Sequence, residues 1–333
     1  MKRTSIAALL LAFTVGTAWG QSNVQTKKNV EYAVHDGVSL VGDLYAPGSG
    51  GPHPAMVFIH GGGFARGSKA GYGNSWGPYL AARGYVVFAI DYRLSTPTQT
   101  TWPQALLDCK AGLQYLRGNA AALGIDPDRI GVGGDSAGAS LAAMVAVTQD
   151  MPQFANRYTK DAYASVSTKV KVAVPIYGVY DMMAQQKYES GQANSPKNLE
   201  QFIGGEPNQM PGAYFESSAL NYIREAALSL GSVATPNAGA KIPWFLAWGM
   251  VDPVVPASGQ SAVFVQALRD AGATVTAVPV PKTDHYWFPV TPLTGKGGEP
   301  TCEEITPAKF SCSGATPNDF IVSQLLDFLA RNL

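Results

Sequence analysis

The chain has 333 residues, 46% of them hydrophobic, and its 24 Lys and Arg balance 24 Asp and Glu. The apolar content excludes a disordered chain, and the zero formal net charge excludes a protein that binds nucleic acid by neutralising phosphates. Three cysteines are too few for a disulfide scaffold, and a charged fraction of 14%, against about 25% in an average domain, leaves apolar material for one large core.

Residues 1–20 carry Lys2 and Arg3, an apolar run over 6–15, and Ala18-Trp19-Gly20 with small residues at the positions a signal peptidase reads. Ten apolar residues span about 15 Å as a helix, roughly half the hydrocarbon of a bilayer. The segment therefore reads as a secretory leader cut after Gly20, with residues 21–333 as a secreted or periplasmic domain that has no membrane partner once the leader is gone. Next come apolar runs over 30–34 and 40–45, joined through His35-Asp36-Gly37, which predict an antiparallel hairpin. Buried-strand patterns follow at 56–59, 86–90, 130–133, 170–177, 244–248 and 275–280. Helical patterns lie between or after them at 76–83, 103–117, 137–148, 258–271 and 319–332. Strands alternating with helices predict an α/β fold with a mostly parallel sheet covered on both faces.

Residues 182–241 break the alternation. They are rich in Gln, Asn, Ser and Gly, with weak helical patches near Leu199 and over 214–227, and a connection this long predicts a lid or cap beside a cleft. In an exported protein Cys302 and Cys312 are positioned to staple a polar loop within 288–318. Cys109 falls on the apolar spacing of Leu106, Leu113 and Leu116 and reads as a buried core residue.

Gly134-Asp135-Ser136-Ala137-Gly138 follows one predicted strand and opens one predicted helix. A G-x-S-x-G turn in that setting lifts the serine hydroxyl above the sheet, and its glycines remove the side chains that so sharp a turn would crush. The turn also places the Ala137 N–H at a helix N-terminus, where negative charge is stabilised. His60-Gly61-Gly62-Gly63-Phe64 follows the strand at 56–59, and successive glycines let the Gly62 and Gly63 N–H groups point into a cleft as oxyanion donors. The Lys-Ser/Thr ending of a phosphate loop is absent. Of four histidines, His285 alone is placed after the serine, in a loop beyond the strand at 275–280, and reads as the general base.

These motifs, with Asp91-Tyr92-Arg93-Leu94 and Asp126-Pro127-Asp128-Arg129, resemble those of α/β-hydrolases, in particular carboxylesterases similar to hormone-sensitive lipase and to bacterial and fungal feruloyl and acetyl xylan esterases. The resemblance runs from about residue 30 to the C-terminus. It departs at Ser95-Thr96-Pro97, where the lipase-like group has Ala-Pro-Glu, and in the short run before the second strand, which leaves no room for an N-terminal helical cap. It therefore implies the feruloyl or acetyl xylan type, with an α/β-hydrolase fold and 182–241 as the cap. Asp252 resembles the family's acid; Asp284 is the rival, although an immediate neighbour in sequence rarely presents its carboxylate to the ring nitrogen facing away from the serine. The implied activity is hydrolysis of small-molecule or polysaccharide-linked esters through an acyl-enzyme on Ser136, with His285 and Asp252 completing the triad.

No Cys/His cluster has zinc spacing, and the chemistry calls for no metal or cofactor. Phe64, Trp102, Tyr177 and Trp287 fall at strand ends or in the loops beyond them, as candidate aromatic walls for substrate. A serine peptidase or amidase similar to prolyl oligopeptidases is the alternative. It shares the glycine-rich loops, the triad order and the Tyr177-Gly178-Val179-Tyr180-Asp181 segment, but it carries a propeller domain for which the remaining residues leave no space.

Overall fold

The computed structural model describes residues 24–154, 157–193, 195–228, 238–295, 300–306 and 309–333; the leader expected over 1–20 lies outside them. The hairpin strands are β1 (Gln25–His35) and β2 (Val38–Ala46). They are followed by β3 (His53–Ile59), β4 (Val86–Ile90), β5 (Ile125–Asp135), β6 (Ala173–Ile176), β7 (Trp244–Gly249) and β8 (Val275–Val280). They form one sheet in the order β1-β2-β4-β3-β5-β6-β7-β8. The β1/β2 and β2/β4 pairs are antiparallel and every other pair is parallel. Strands covered on both faces read as continuous apolar runs, as in β4 and β6, which are buried along their whole length.

Helices α1 (Ala70–Gly73) and α2 (Trp76–Ala81) lead from β3 to β4, and α3 (Gln104–Gly118) and α4 (Ala120–Leu123) lead to β5. Helix α5 (Ala137–Thr148) follows β5 directly. All twelve of its residues are buried, as expected of a sequence that is apolar or small all round. Between β6 and β7 lie α6 (Met182–Ser190), α7 (Asn198–Ile203), α8 (Pro211–Glu216) and α9 (Ala219–Leu228). Helix α10 (Ser261–Asp270) precedes β8. After β9 (Pro300–Thr306) and β10 (Lys309–Gly314), α11 (Pro317–Asn332) ends the chain. Thr316 and Asp319 start α11 with a reciprocal capping box, and Pro317 sits in its first turn, where no N–H is needed.

Two apolar clusters flank the sheet. One holds Leu113 of α3, Leu141 of α5 and Phe264 of α10; the other holds Trp76 and Leu80 of α2 and Ile321 and Phe328 of α11. Truncating a buried phenylalanine such as Phe328 to Ala costs about 3–5 kcal/mol in cores of this kind.

The structure differs from the sequence reading in several places. Four short helices replace the two patches expected in the insertion. They are short for water but dock through buried Leu199, Phe202, Ile203 and Tyr214. The segment read as a polar loop carries β9 and β10, an antiparallel pair in which Cys302 stands opposite Cys312; the side chains of both cysteines lie outside the described part. The hairpin turn read at His35 buries that ring completely. Its Nδ1 lies 2.6 Å from Asp108 Oδ1 and its Nε2 2.9 Å from Asp161 Oδ2. Arg93 also grips Asp108, through Nε at 2.8 Å.

Candidate active site

Sheet topology fixes where the glycine motifs meet. β3 lies between β4 and β5, with Ile59 paired to Gly134, so chain leaving β3 and chain leaving β5 emerge side by side at the carboxyl edge, where ligands bind in open α/β sheets. The contact is backbone on backbone. A Cβ on Gly134 would stand 2.5 Å from the Ile59 carbonyl oxygen, and one on Gly138 would stand 2.1 Å from it. Nothing larger than glycine fits at either end of the turn. Ser136, between them, has φ +51° and ψ −121°, a region that L-residues occupy only under strain. The strand pairing holds it there, since its N–H donates to the Ile176 carbonyl at 3.0 Å.

Ser136 Oγ lies 2.9 Å from His285 Nε2, and His285 Nδ1 lies 2.6 Å from Asp252 Oδ2. All three residues are buried. The second oxygen of Asp252 accepts the Val254 and Val255 N–H groups at 2.8 and 2.9 Å, which sets the carboxylate's direction before it meets the ring. The structure thus pairs the ring with Asp252 rather than Asp284. The Asp284 carboxyl is half-buried, and that burial raises its pKa. The acid loop and the histidine loop are joined: the Val251 N–H donates to the Thr283 carbonyl at 3.1 Å, and a Cβ on Gly249 would stand 2.1 Å from the Asp284 carbonyl oxygen.

Opposite the serine, the Gly62 carbonyl turns back to accept the Ala65 and Arg66 N–H groups. Among the described residues no hydrogen bond engages the N–H of Gly62, Gly63 or Ala137, so the three donors singled out from the sequence are free. Asp135, the neighbour of the serine, ties the loop to the elbow: it accepts the Gly61 N–H and the Tyr72 hydroxyl, each at 2.9 Å. Complete burial raises the Asp135 pKa against the lowering effect of those bonds. Burial lowers the His60 pKa; its Nδ1–H donates to the Gly61 carbonyl at 2.7 Å, and its ring stacks on Tyr92. His60 thus shapes the loop from beneath.

The four aromatic candidates are all buried. Phe64 stacks on Phe202 of α7 at 3.9 Å, and Trp102 meets the same ring edge-on at 5.8 Å, so both anchor the inserted segment. Tyr177 lies under the histidine loop, its ring 4.6 Å from His285 and its hydroxyl accepting the Phe288 N–H. Trp287 packs 5.3 Å from Tyr177, with its indole N–H buried and unpaired. Sequence reasoning passed over Asp135 as the variable position of a motif. It also passed over Asn198, whose Nδ2 would stand 2.6 Å from a Cβ on Gly63, and no local pattern signals that contact. No group of His, Cys, Asp and Glu able to hold a metal occurs among the described residues.

A hydroxyl hydrogen-bonded to an imidazole, with a buried carboxylate behind it and free N–H groups on the adjoining turns, is the donor set that attack on a carbonyl and binding of the resulting oxyanion require. Comparisons with known proteins point the same way. The BD-FAE family profile matches residues 43–268. The esterase LipQ of Mycobacterium tuberculosis is 31% identical over 235 residues; the alignment takes in 70% of this chain and 50% of LipQ, so the chain spans half the length of that curated relative. Among solved structures, a truncated carbohydrate esterase from gut microbiota superposes with a TM-score of 0.63 at 25% identity, over 80% of this chain and 90% of that one. An acetyl ester-xyloside bifunctional hydrolase from Caldicellulosiruptor lactoaceticus superposes with a TM-score of 0.58 at 25% identity, over 75% and 79%.

Proposed function

The chain belongs to the BD-FAE family and has the α/β-hydrolase fold, and from that premise we propose that it is an exported serine carboxylesterase acting on esters whose alcohol is a carbohydrate. The observation that carries the reading is the chain of hydrogen bonds from Ser136 through His285 to Asp252, at a strained elbow facing three free N–H groups. In this scheme Ser136 Oγ bonds to the ester carbonyl carbon while its proton passes to His285 Nε2. Asp252 holds the ring in the tautomer that can accept the proton and stabilises the imidazolium. The Gly62, Gly63 and Ala137 N–H groups receive the oxyanion, each contributing about 3 kcal/mol in a water-poor site. As the intermediate collapses, the bond to the alcohol oxygen breaks and His285 returns the proton to it. Water then attacks the acyl-serine by the same route and releases the acid.

The names of the carbohydrate esterase and the acetyl ester-xyloside hydrolase support a carbohydrate-linked acetate or related short acyl ester as substrate. The leader-like sequence of residues 1–20 supports export. An oxidising destination suits a disulfide between Cys302 and Cys312: opposed residues of an antiparallel pair have Cα atoms about 4.5–5.5 Å apart, within the span a disulfide bridges.

Ser136→Ala, assayed on nitrophenyl acetate beside a peptide anilide, tests the reading. The parent should hydrolyse the ester in preference to the anilide, and the variant should lose about 10⁴-fold or more in kcat. Faster cleavage of the anilide by the parent, or a variant of near-parental activity, would refute it.

A further inference from the structure

In the esterase scheme His285 Nε2 must return its proton to the leaving alcohol oxygen. The alcohol half of the ester therefore lies on the His285 side of the site, where an exposed side chain stands beside that ring. That side chain is Tyr286, whose ring centroid is 4.6 Å from His285 with the planes at 88°. Tyr286 is 54% exposed, whereas its neighbours His285 and Trp287 are each 3% exposed and Phe288 is 0%. One aromatic of four is turned outward.

Holding it there strains the backbone. Tyr286 has φ +63°, a region glycine enters freely and a bulky residue enters at a cost. Packing does not explain the choice, because over half of the side chain is in water. Internal hydrogen bonding does not explain it either, because the hydroxyl bonds to no described residue. Strain of this kind, kept beside reacting atoms, points to a ligand. The surroundings indicate its chemistry. Met250 and Val251, 58% and 46% exposed, extend an apolar rim from the acid loop, which is bonded to the histidine loop at Thr283. On the histidine loop the exposed Tyr286 ring ends in a hydroxyl that bonds to no described residue.

We propose that Tyr286 is a specificity-determining residue whose ring is the platform for a sugar in the alcohol half of the ester. The inference rests on the esterase reading. A sugar ring presents a C–H face that stacks on an aromatic ring, with hydroxyls at its rim for the phenol to meet. A small alkyl alcohol has neither and gains little from a single exposed ring.

The test compares two acetates that share an acyl group, acetylated xylobiose and ethyl acetate, on the parent and on Tyr286→Ala, Tyr286→Gly and Tyr286→Phe. The ratio of kcat/KM for the sugar ester to that for ethyl acetate should fall about tenfold in the Ala and Gly variants, chiefly through KM, and less in the Phe variant. The Gly variant should melt no lower than the parent, because it relieves the strained backbone. An unchanged ratio, or an equal loss on both esters accompanied by a lower melting temperature, overturns the proposal. A parent inactive on both esters instead overturns the esterase reading, and with it the premise of the inference.

Discussion

Replacing Asp252 by Asn keeps the size of the side chain and tests the site at a buried point. Asp252 Oδ1 already accepts the Val254 and Val255 N–H groups at 2.8 and 2.9 Å. In the variant the amide oxygen must stay at that position, because turning the NH₂ toward two N–H donors would leave all three buried donors unpaired, at about 1–3 kcal/mol each. The NH₂ is thereby directed at His285 Nδ1, which now has to accept, and the ring proton moves to Nε2. That nitrogen then cannot take the Ser136 proton. The expected loss in kcat is about 10⁴-fold, or about 5.4 kcal/mol of transition-state stabilisation, with the melting temperature within a few degrees of the parent because both backbone bonds survive. Steady-state hydrolysis of nitrophenyl acetate, read beside a thermal melt, gives both quantities. Activity within about tenfold of the parent would refute the tautomer argument. A matching loss in Asp284→Asn would show that the carboxylate next to the histidine shares the role.

The remaining predictions concern stability. Burial works against charge on the His35 ring, but hydrogen bonds to Asp108 and Asp161 outweigh it and raise the pKa. The folded chain thus keeps a proton that the unfolded chain loses, and the stabilisation is full below about pH 6.5 and vanishes as pH rises through the raised value. Burial pulls the Lys110 pKa down to about 7 and acts in the opposite sense above that pH, so the reading is the difference between parent and His35→Gln. That difference in unfolding free energy should be larger at about pH 6 than at about pH 9, and a difference constant with pH would contradict the assignment. If Cys302 and Cys312 are bridged, the denatured but unreduced protein will titrate as one thiol, that of buried Cys109. Cys302→Ser should then cost about 2.5 to 3 kcal/mol in the chain-entropy treatment of a ring this size; three titratable thiols would exclude the bridge.

What the sequence made legible was whatever rests on local pattern. The continuous apolar run of β4 marked that strand to the residue, because a strand buried on both faces carries no polar alternation to blur it; the β-branched run of β8 did the same at the sheet edge. The elbow could be read because steric collision with the Ile59 carbonyl dictates its two glycines, and collision leaves a mark in composition. Contacts between distant segments leave none. His35 reads as part of a turn, yet its partners lie 73 and 126 positions away. Phe64 and Trp102 read as cleft walls, and the structure buries both under Phe202, a residue that no periodicity brings near them. Tyr286 was hidden by its neighbours, since Tyr286-Trp287-Phe288 looks uniformly apolar until backbone geometry turns the first of the three away from the rest.

The stack of Phe64 on Phe202 couples the glycine-rich loop after β3 to helix α7. Phe64 directly follows Gly62 and Gly63 and has φ +61°, so its ring is a lever on the oxyanion loop, and Asn198 of the same helix α7 rests against Gly63. In the proposed scheme, any displacement of α7 would pass through Phe64 and Asn198 to the N–H donors assigned to the oxyanion. A substitution that shifts α7 is then expected to lower kcat more than it raises KM, because it misaligns groups that act in the transition state and leaves ground-state contacts in place.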